Sequence, residues 1–247
     1  MKISAVVLAK NEEKNIANCI KSLAFAREII VIDNNSEDFT VTVSKKNKAR
    51  VFVFKKPDFA AMRNFAKEKA KYDWLFYLDA DEIASKPLAE EIKNTLKNPE
   101  FLAYWVPRIN FYFGRIWPKA EQMLRLINKQ ALTEWYGVLH ESPRVNSETG
   151  RLKNPIYHYT HQNLTGMVDK TNAWSEIEAE LRFNSGHPPV VWWRFFRVML
   201  TSFYDSYLCQ SGFRKGTVGL IESIYQSFSM FITYAKLWEK QNQEKKS

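Results

Sequence analysis

Cysteine is scarce: Cys19 and Cys209 are the only two in 247 residues. Two such residues build neither a disulfide framework nor a metal-ligand spacing, and a reducing cytosol is the natural setting. Cys19 falls on a predicted helix and reads as a small core residue. The chain has no internal repeat and no low-complexity tract. It carries no RNP, zinc or helix-turn-helix signature, and its lysines are scattered, so no nucleic-acid partner is expected despite the basic charge. It also lacks a clean membrane span. The apolar run from Val190 to Leu208, about 19 residues, is broken by Arg194, Arg197 and Asp205. The N-terminal stretch Met1 to Ala9 is short and meets Lys10-Asn11-Glu12-Glu13 at once, which suits a first strand rather than an exported leader.

Positive charge and aromatics are plentiful. The net charge is +9 and the pI about 9.4, which calls for anionic partners: nucleotide phosphates, nucleic acid or an anionic membrane surface. Aromatics make up 15% of residues, and every Trp lies from residue 74 onward.

Hydrophobic periodicity organises the first half. Strands are expected at Ile3–Leu8, Glu28–Ile32, Val51–Phe54, Trp74–Leu78 and Tyr104–Arg108. Helices alternate with them: one capped by Asn11 with Glu12 and Glu13 in its first turn, then Phe39–Asn47, Met62–Lys71 and Leu88–Leu96. Such alternation predicts an α/β fold, a mostly parallel sheet with helices on both faces. Residues 111–185 read as an irregular region of short strands. Two amphipathic helices follow, Val190–Leu208 and about Thr217–Gln241. Arg194, Arg197, Thr201 and Asp205 stripe the first; Glu222, Gln226, Ser229, Thr233, Lys236 and Lys240 stripe the second. The tail from Lys240 to Ser247 is expected to fray.

Asp79 and Asp81 stand one residue apart at the end of a buried strand. Paired carboxylates there suit Mg²⁺ or Mn²⁺, ions that bridge to substrate phosphates. Asp33 ends an earlier strand, so three acids share the carboxyl edge where open α/β sheets bind ligands. Glu82 is expected to point away. Arg63 can pair with a diphosphate bidentately. Bland readings stand beside these: Asp33 as a turn residue, Glu12 as a helix-dipole partner, Arg63 as a solvated helix arginine.

These residues and their order resemble the family 2 glycosyltransferases of GT-A fold, in particular a bacterial subgroup that includes lipopolysaccharide core β-glucosyltransferases. The landmarks are Ala9–Glu13, Ile30–Asp38, Arg63–Ala66, Leu78–Glu82, Gln122–Leu126, Leu139–Glu141, Tyr157–Tyr159 and Tyr234–Trp238, spread over nearly the whole chain. The resemblance implies a Rossmann-like domain over 1–185, with a nucleotide-binding half (1–110) and an acceptor and catalytic half (111–185), then a helical extension over 186–247. Ala9, Asn11 and Glu12 would meet the nucleotide, with Glu12 on the ribose and Asp33 on the uracil edge. Asp81 would ligate Mg²⁺ or Mn²⁺ directly, Asp79 would touch the ribose or metal-bound water, and His158 would add a late ligand. Glu141 sits where the fold places its general base; Glu134 and Asp169 are other candidates, and a structural ion pair is the alternative for Glu141. Gln122, Arg125 and His140 would line the sugar or diphosphate, with a surface strand as the alternative for the first two. His140 competes for the base and metal roles, and His161 and His187 carry no special signal.

Two departures from the subgroup stand out. Asn35 replaces its glycine, a mild change because Asn tolerates a left-handed turn. The stretch Asp58–Asn64 lacks the usual glycine-containing loop, which bears on Arg63. The implied activity is inverting transfer of a sugar, glucose, from a UDP-sugar to a glycan or glycolipid in lipopolysaccharide biosynthesis. The implied location is cytoplasmic, peripheral on the inner face of the membrane, with the aromatic C-terminal helices facing anionic lipid or else completing a core or dimer. Competing readings are a non-catalytic or differently specific nucleotide-sugar-binding homologue, a Mg²⁺-dependent phosphatase, and a basic nucleic-acid-binding protein.

Overall fold

The computed structural model describes residues 2–56, 58–137 and 141–243. Seven residues, Ile3–Ala9, form β1 and are buried throughout, as an unbroken apolar run predicts for a strand covered on both faces. There follow α1 (Ile16–Ser22), β2 (Glu28–Asp33), α2 (Thr40–Lys46), β3 (Arg50–Val53), α3 (Phe59–Lys69) and β4 (Trp74–Asp79). Then come β5 (Glu82–Ala84), α4 (Lys86–Thr95), β6 (Ala103–Tyr112), β7 (Arg115–Ile116), β8 (Glu121–Asn128), β9 (Leu132–Tyr136), β10 (Ser142–Val145), β11 (Thr149–Arg151) and β12 (Ile156–Tyr159). Three α-helices and a short 3-10 turn complete the described chain: α5 (Leu164–Asn184), α6 (Trp192–Tyr204), which continues as a π-helical turn over Asp205–Cys209, the 3-10 turn Gly212–Lys215, and α7 (Gly216–Gln243).

The main sheet runs β3-β2-β1-β4-β8-β6-β12-β5, with β7 and β11 also paired to β6. Its first four strands are parallel, as the strand–helix alternation predicts. From β8 onward antiparallel pairs enter. Because β2 and β4 flank β1 on opposite sides, the strand order reverses at β1, and its carboxyl end is the switch point where such sheets open a crevice. One apolar cluster joins one sheet face to α1 and α4 through Ile16, Ile20, Leu88 and Ile92; a second joins the other face to α3 through Ala60, Met62 and Ala66.

Two local expectations change. The first helix starts at Ile16, not after Asn11. Asn11 is left-handed (φ 53°). The backbone N–H groups of Asn11, Glu12 and Glu13 donate to Ser36 Oγ, Thr40 Oγ1 and Asp38 Oδ2 at 2.9, 2.7 and 3.0 Å. The β2–α2 loop thus satisfies donors that a capped helix would have left open. Second, the region expected to be irregular contains the 21-residue helix α5, capped by Asn163, whose side chain accepts from Gly166 N at 2.8 Å.

The described residues form two compact units. One comprises residues 2–109 with Ala120–His158, and the other Asn110–Lys119 with Tyr159 onward. In the second, α7 packs with its polar stripe inward. Glu222, Ser223, Ser227 and Thr233 are buried, whereas Leu220, Ile221, Ile224 and Phe228 are exposed. Helix α7 runs to Gln243; the rest of the tail expected to fray lies outside the described residues.

Candidate active site

Strand register sets the site. Leu8 pairs with Asp79, and the adjacent Ala9 with Asp33. Neighbouring strands lie about 4.8 Å apart, so Asp33 and Asp79 flank β1 at about 10 Å. The two acids share the carboxyl edge but leave opposite faces, because successive side chains alternate. Ala9 belongs to the α1/α4 face and Leu8 to the α3 face. Asp79 therefore looks toward α3, where Arg63 waits.

Arg63 is not a solvated helix residue: its side chain is 1% exposed. The helix expected from Met62 begins at Phe59, with Asp58 accepting from Ala61 N at 2.9 Å as the N-cap. Arg63 Nη2 donates to Asp79 Oδ1 at 2.7 Å, and Nε donates to Glu141 Oε1 at 2.9 Å. The guanidinium lies over the Trp135 ring, 4.7 Å from its centroid. Asn64 clips Trp135 in place, donating to its carbonyl and accepting from its N–H at 2.9 and 2.8 Å. Arg125, 3% exposed at its side chain, donates from Nη2 to Asp79 Oδ2 at 2.9 Å. Burial pushes the Asp79 carboxyl up, but Arg125 and Arg63 outweigh it and hold it well below the usual carboxylate range.

Glu82 does not point away. It is fully buried, with Oε2 accepting the Asp79 N–H at 2.9 Å and Oε1 accepting from Arg108 Nη1 at 3.1 Å. Arg108 also pairs with Glu121, its register partner across β6 and β8. Unpaired, a carboxylate so buried would be strongly disfavoured; Arg108 and the Asp79 N–H make it tenable. Sequence reading singled out neither Arg108, Glu121 nor Trp135. Their roles come from strand pairing rather than from a motif.

Asp81 lies beside His158, Oδ2 to Nε2 at 3.3 Å. The pair meets because β12 runs antiparallel to β5, setting His158 against Glu82. Burial alone would push the imidazole pKa down; the hydrogen bond to Asp81 and that residue's charge outweigh it and raise it above its ordinary value. Asp79, Asp81, Glu82, Glu121 and Glu141 stand against Arg63, Arg108 and Arg125, which leaves two negative charges with His158 neutral and one with it protonated. Among the described residues no three His, Cys, Asp or Glu side chains form a ready metal cage. Mg²⁺ and Mn²⁺ are commonly held by one or two carboxylates completed by phosphate and water, so Asp81 fits either ion, while the His158 imidazole suits Mn²⁺ better than Mg²⁺.

Beyond the switch point lies an open cleft of about 470 Å³, lined by Lys10, Asn11, Asn34, Asn35, Glu37 and Lys55. Asn34 fixes its wall by donating to the carbonyls of Phe54 and Lys56 at 2.8 and 2.9 Å. Asn35 takes the left-handed conformation (φ 55°) that a glycine would adopt freely. Asp33 is 1% exposed; Oδ2 accepts from Ser36 N at 3.0 Å, while Oδ1 is buried with no donor among the described residues. Glu12 Oε2 accepts from Asn15 Nδ2 at 2.7 Å.

The remaining candidates scatter. Gln122 is exposed on β8, whereas Arg125 on the same strand is buried. Glu134 is half-buried and paired with Arg144 at 2.6 Å. Asp169 is exposed on α5, within the other unit. His140 lies outside the described residues.

A family model for glycosyl transferase family 2 matches residues 4–167. An uncharacterized glycosyltransferase of Rickettsia typhi is 28% identical across 96% of this chain and 87% of its own length. LpsC of Rhizobium meliloti, a lipopolysaccharide core biosynthesis glycosyltransferase, is 26% identical across 96% of this chain and 92% of its own. The crystal structure of S. aureus TarS 1–349 in complex with UDP superposes with a TM-score of 0.51, covering 99% of this chain and 92% of its own at 14% identity, a likeness of fold. The α/β architecture is GT-A, and the chain belongs to glycosyl transferase family 2.

Proposed function

We propose that the protein is an inverting, metal-dependent hexosyltransferase. It moves glucose from a UDP-sugar to a glycan or glycolipid acceptor of the lipopolysaccharide core, at the cytoplasmic face of the membrane. The observation that carries this reading is the meeting, at one sheet edge, of a donorless buried acceptor and an uncompensated acidic cluster. Asp33 Oδ1 offers an acceptor to the N–H of a uracil, and the open cleft beside it holds Lys10 and Lys55 for anionic groups. Ala9, Asn11 and Glu12 border the ribose side.

Asp81 and His158 would hold the Mg²⁺ or Mn²⁺, with Asp79 on its water or on the ribose. A cation there supplies charge neutralisation for the departing diphosphate. Arg63 is engaged by Asp79 and Glu141. It acts as a positioning residue that keeps both carboxylates aimed and holds Asp79 ionised, and its contact to a diphosphate is secondary. Glu141, so held, takes the proton of the acceptor hydroxyl as the nucleophile forms. Gln122 and Arg125 would line the sugar or diphosphate in this reading. The choice of a core acceptor leans on the name of LpsC.

The test is a donor screen by UDP release with core-oligosaccharide acceptors, run on wild type and Glu141→Gln. The variant is expected to keep UDP affinity and to lose at least about a hundredfold in kcat. Unchanged turnover removes Glu141 from the base role.

A further inference from the structure

We propose that the outer face of α6 and α7 is a docking surface for an anionic phospholipid bilayer, on which the helices lie flat. The inference stands apart from the sugar-transfer reading, since it uses none of the residues of that site.

The two helices present apolar residues to solvent because their other sides are already satisfied. Inside, Glu222 meets His161 Nδ1 at 2.8 Å, Ser206 and Ser223 share a hydrogen bond at 3.0 Å, and Ser227 donates to the Met199 carbonyl at 2.9 Å. Lys236 and Lys240 turn back onto α5, to Asn172 and to Glu176 and Glu180. These polar contacts, with a small apolar core of Ala179, Val190, Val198, Tyr234 and Leu237, hold the helices together and leave the apolar arcs outside. On α6, Trp192, Phe196, Leu200 and Tyr204 are 58–74% exposed. Together with Met199 they cover about 140° of the helix circumference. On α7, Leu220, Ile221, Ile224, Phe228, Phe231 and Trp238 form a second arc along almost the whole helix. Between Gly216 and Ala235 the one charged residue is Glu222, and it is buried.

Charge selects the occupant. Residues 190–217 carry Arg194, Arg197, Arg214 and Lys215 against the single acid Asp205. Arg197 and Arg214 are exposed and sit against aromatic rings of the face, Arg197 5.6 Å from the Trp193 centroid and Arg214 5.7 Å from that of Phe213. A twofold contact with a second copy would set this cationic patch against itself. An anionic leaflet complements it, and Trp and Tyr with flanking Arg are the side chains that settle at the headgroup level. No described helix is long and apolar enough to cross a membrane, so the surface lies in the interface rather than spanning it.

The experiment is flotation of the full chain with vesicles of phosphatidylcholine alone or mixed with phosphatidylglycerol, alongside sedimentation velocity without lipid. Wild type is expected to float with the mixed vesicles, more weakly at high salt, and to sediment as a monomer. Trp192→Ser/Phe196→Ser/Leu200→Ser is expected to lower partitioning at least about tenfold with an unchanged thermal melt, since all three side chains are exposed. Arg197→Glu/Arg214→Glu is expected to abolish the preference for phosphatidylglycerol. The proposal is overturned if wild type does not float, if either variant floats like wild type, or if wild type is a dimer that the apolar variant dissociates. UDP binding by calorimetry on the same variants keeps the two readings distinguishable: lost flotation with retained UDP binding bears on the docking surface alone.

Discussion

Arg63 holds two carboxylates from inside the fold, and the consequences of losing it are specific. Arg63→Met removes the cation shared by Asp79 and Glu141 and leaves both part-buried acids facing apolar atoms. Breaking such a pair by deleting one partner costs about 3–5 kcal/mol, which urea denaturation should register. Asn35 makes a second, smaller test. Its left-handed backbone predicts that Asn35→Gly is near neutral, whereas Asn35→Val destabilises by about 1–3 kcal/mol in the same assay. Cysteine chemistry gives a third. Cys19 is fully buried, and burial followed by the acids around it pushes its thiol up, whereas Cys209 is exposed. A thiol reagent should titrate one cysteine in the native protein and two after denaturation. Of these properties, the tolerance of Asn for a left-handed turn and the core placement of Cys19 were legible in the sequence. The burial of Arg63 was not, because a helix from Met62 leaves it free to face solvent, and only the fold brings Asp79, Glu141 and Trp135 over it.

At the scale of elements, the strands and helices through α4 follow from apolar periodicity, except for the three-residue β5, and their observed bounds differ from expectation by a few residues. Helix α5 escaped because its buried positions, Met167, Thr171, Ser175 and Ala179, recur every four residues but are mostly small or polar. A reading keyed to large apolar side chains does not register such a stripe. The same physics inverts α7. Its polar stripe was visible, but the direction it faces depends on Thr171, Tyr225 and His161 offering partners, which no local pattern reports. The inversion predicts inverted mutational behaviour. Phe228→Ser, on the outer arc, should change stability by no more than about 0.5 kcal/mol. Ser223→Leu, against Gly219 and Ser206, should overpack and cost about 1–3 kcal/mol. Thermal melts of the two variants decide the point. The Glu28 cluster at the base of β2 adds a pH signature. Burial raises the Glu28 carboxyl, but Ser4, the Lys71 N–H and Arg50 outweigh it and set its folded pKa below the ordinary glutamate value of about 4.3. Its stabilisation is therefore complete above that value and is lost as pH falls through the folded pKa. Glu28→Gln should flatten the acid limb of a stability–pH profile that wild type shows.

For the whole molecule, the sequence order of landmarks carries the fold, while the assembly of the site depends on the sheet. Asp33, Asp79 and Asp81 are readable as strand-end acids. That Asp33 and Asp79 leave opposite faces follows only from the pairing of Ala9 and Leu8 with their neighbours. His158 reaches Asp81 across 77 residues through the β5–β12 pair, and Arg108 reaches Glu82 from β6. These connections turn a short acidic motif into a cluster with residual negative charge next to an open cleft. The central claim is that this edge binds a uridine diphosphate with a divalent cation. Calorimetric titration of UDP in the presence and absence of Mn²⁺, on wild type and Asp81→Ala, tests it most directly. The account predicts Mn²⁺-dependent UDP binding by wild type that Asp81→Ala weakens by at least about tenfold, the loss of one charge-assisted ligand. UDP binding that is absent from wild type, or indifferent to both Mn²⁺ and Asp81, would contradict it.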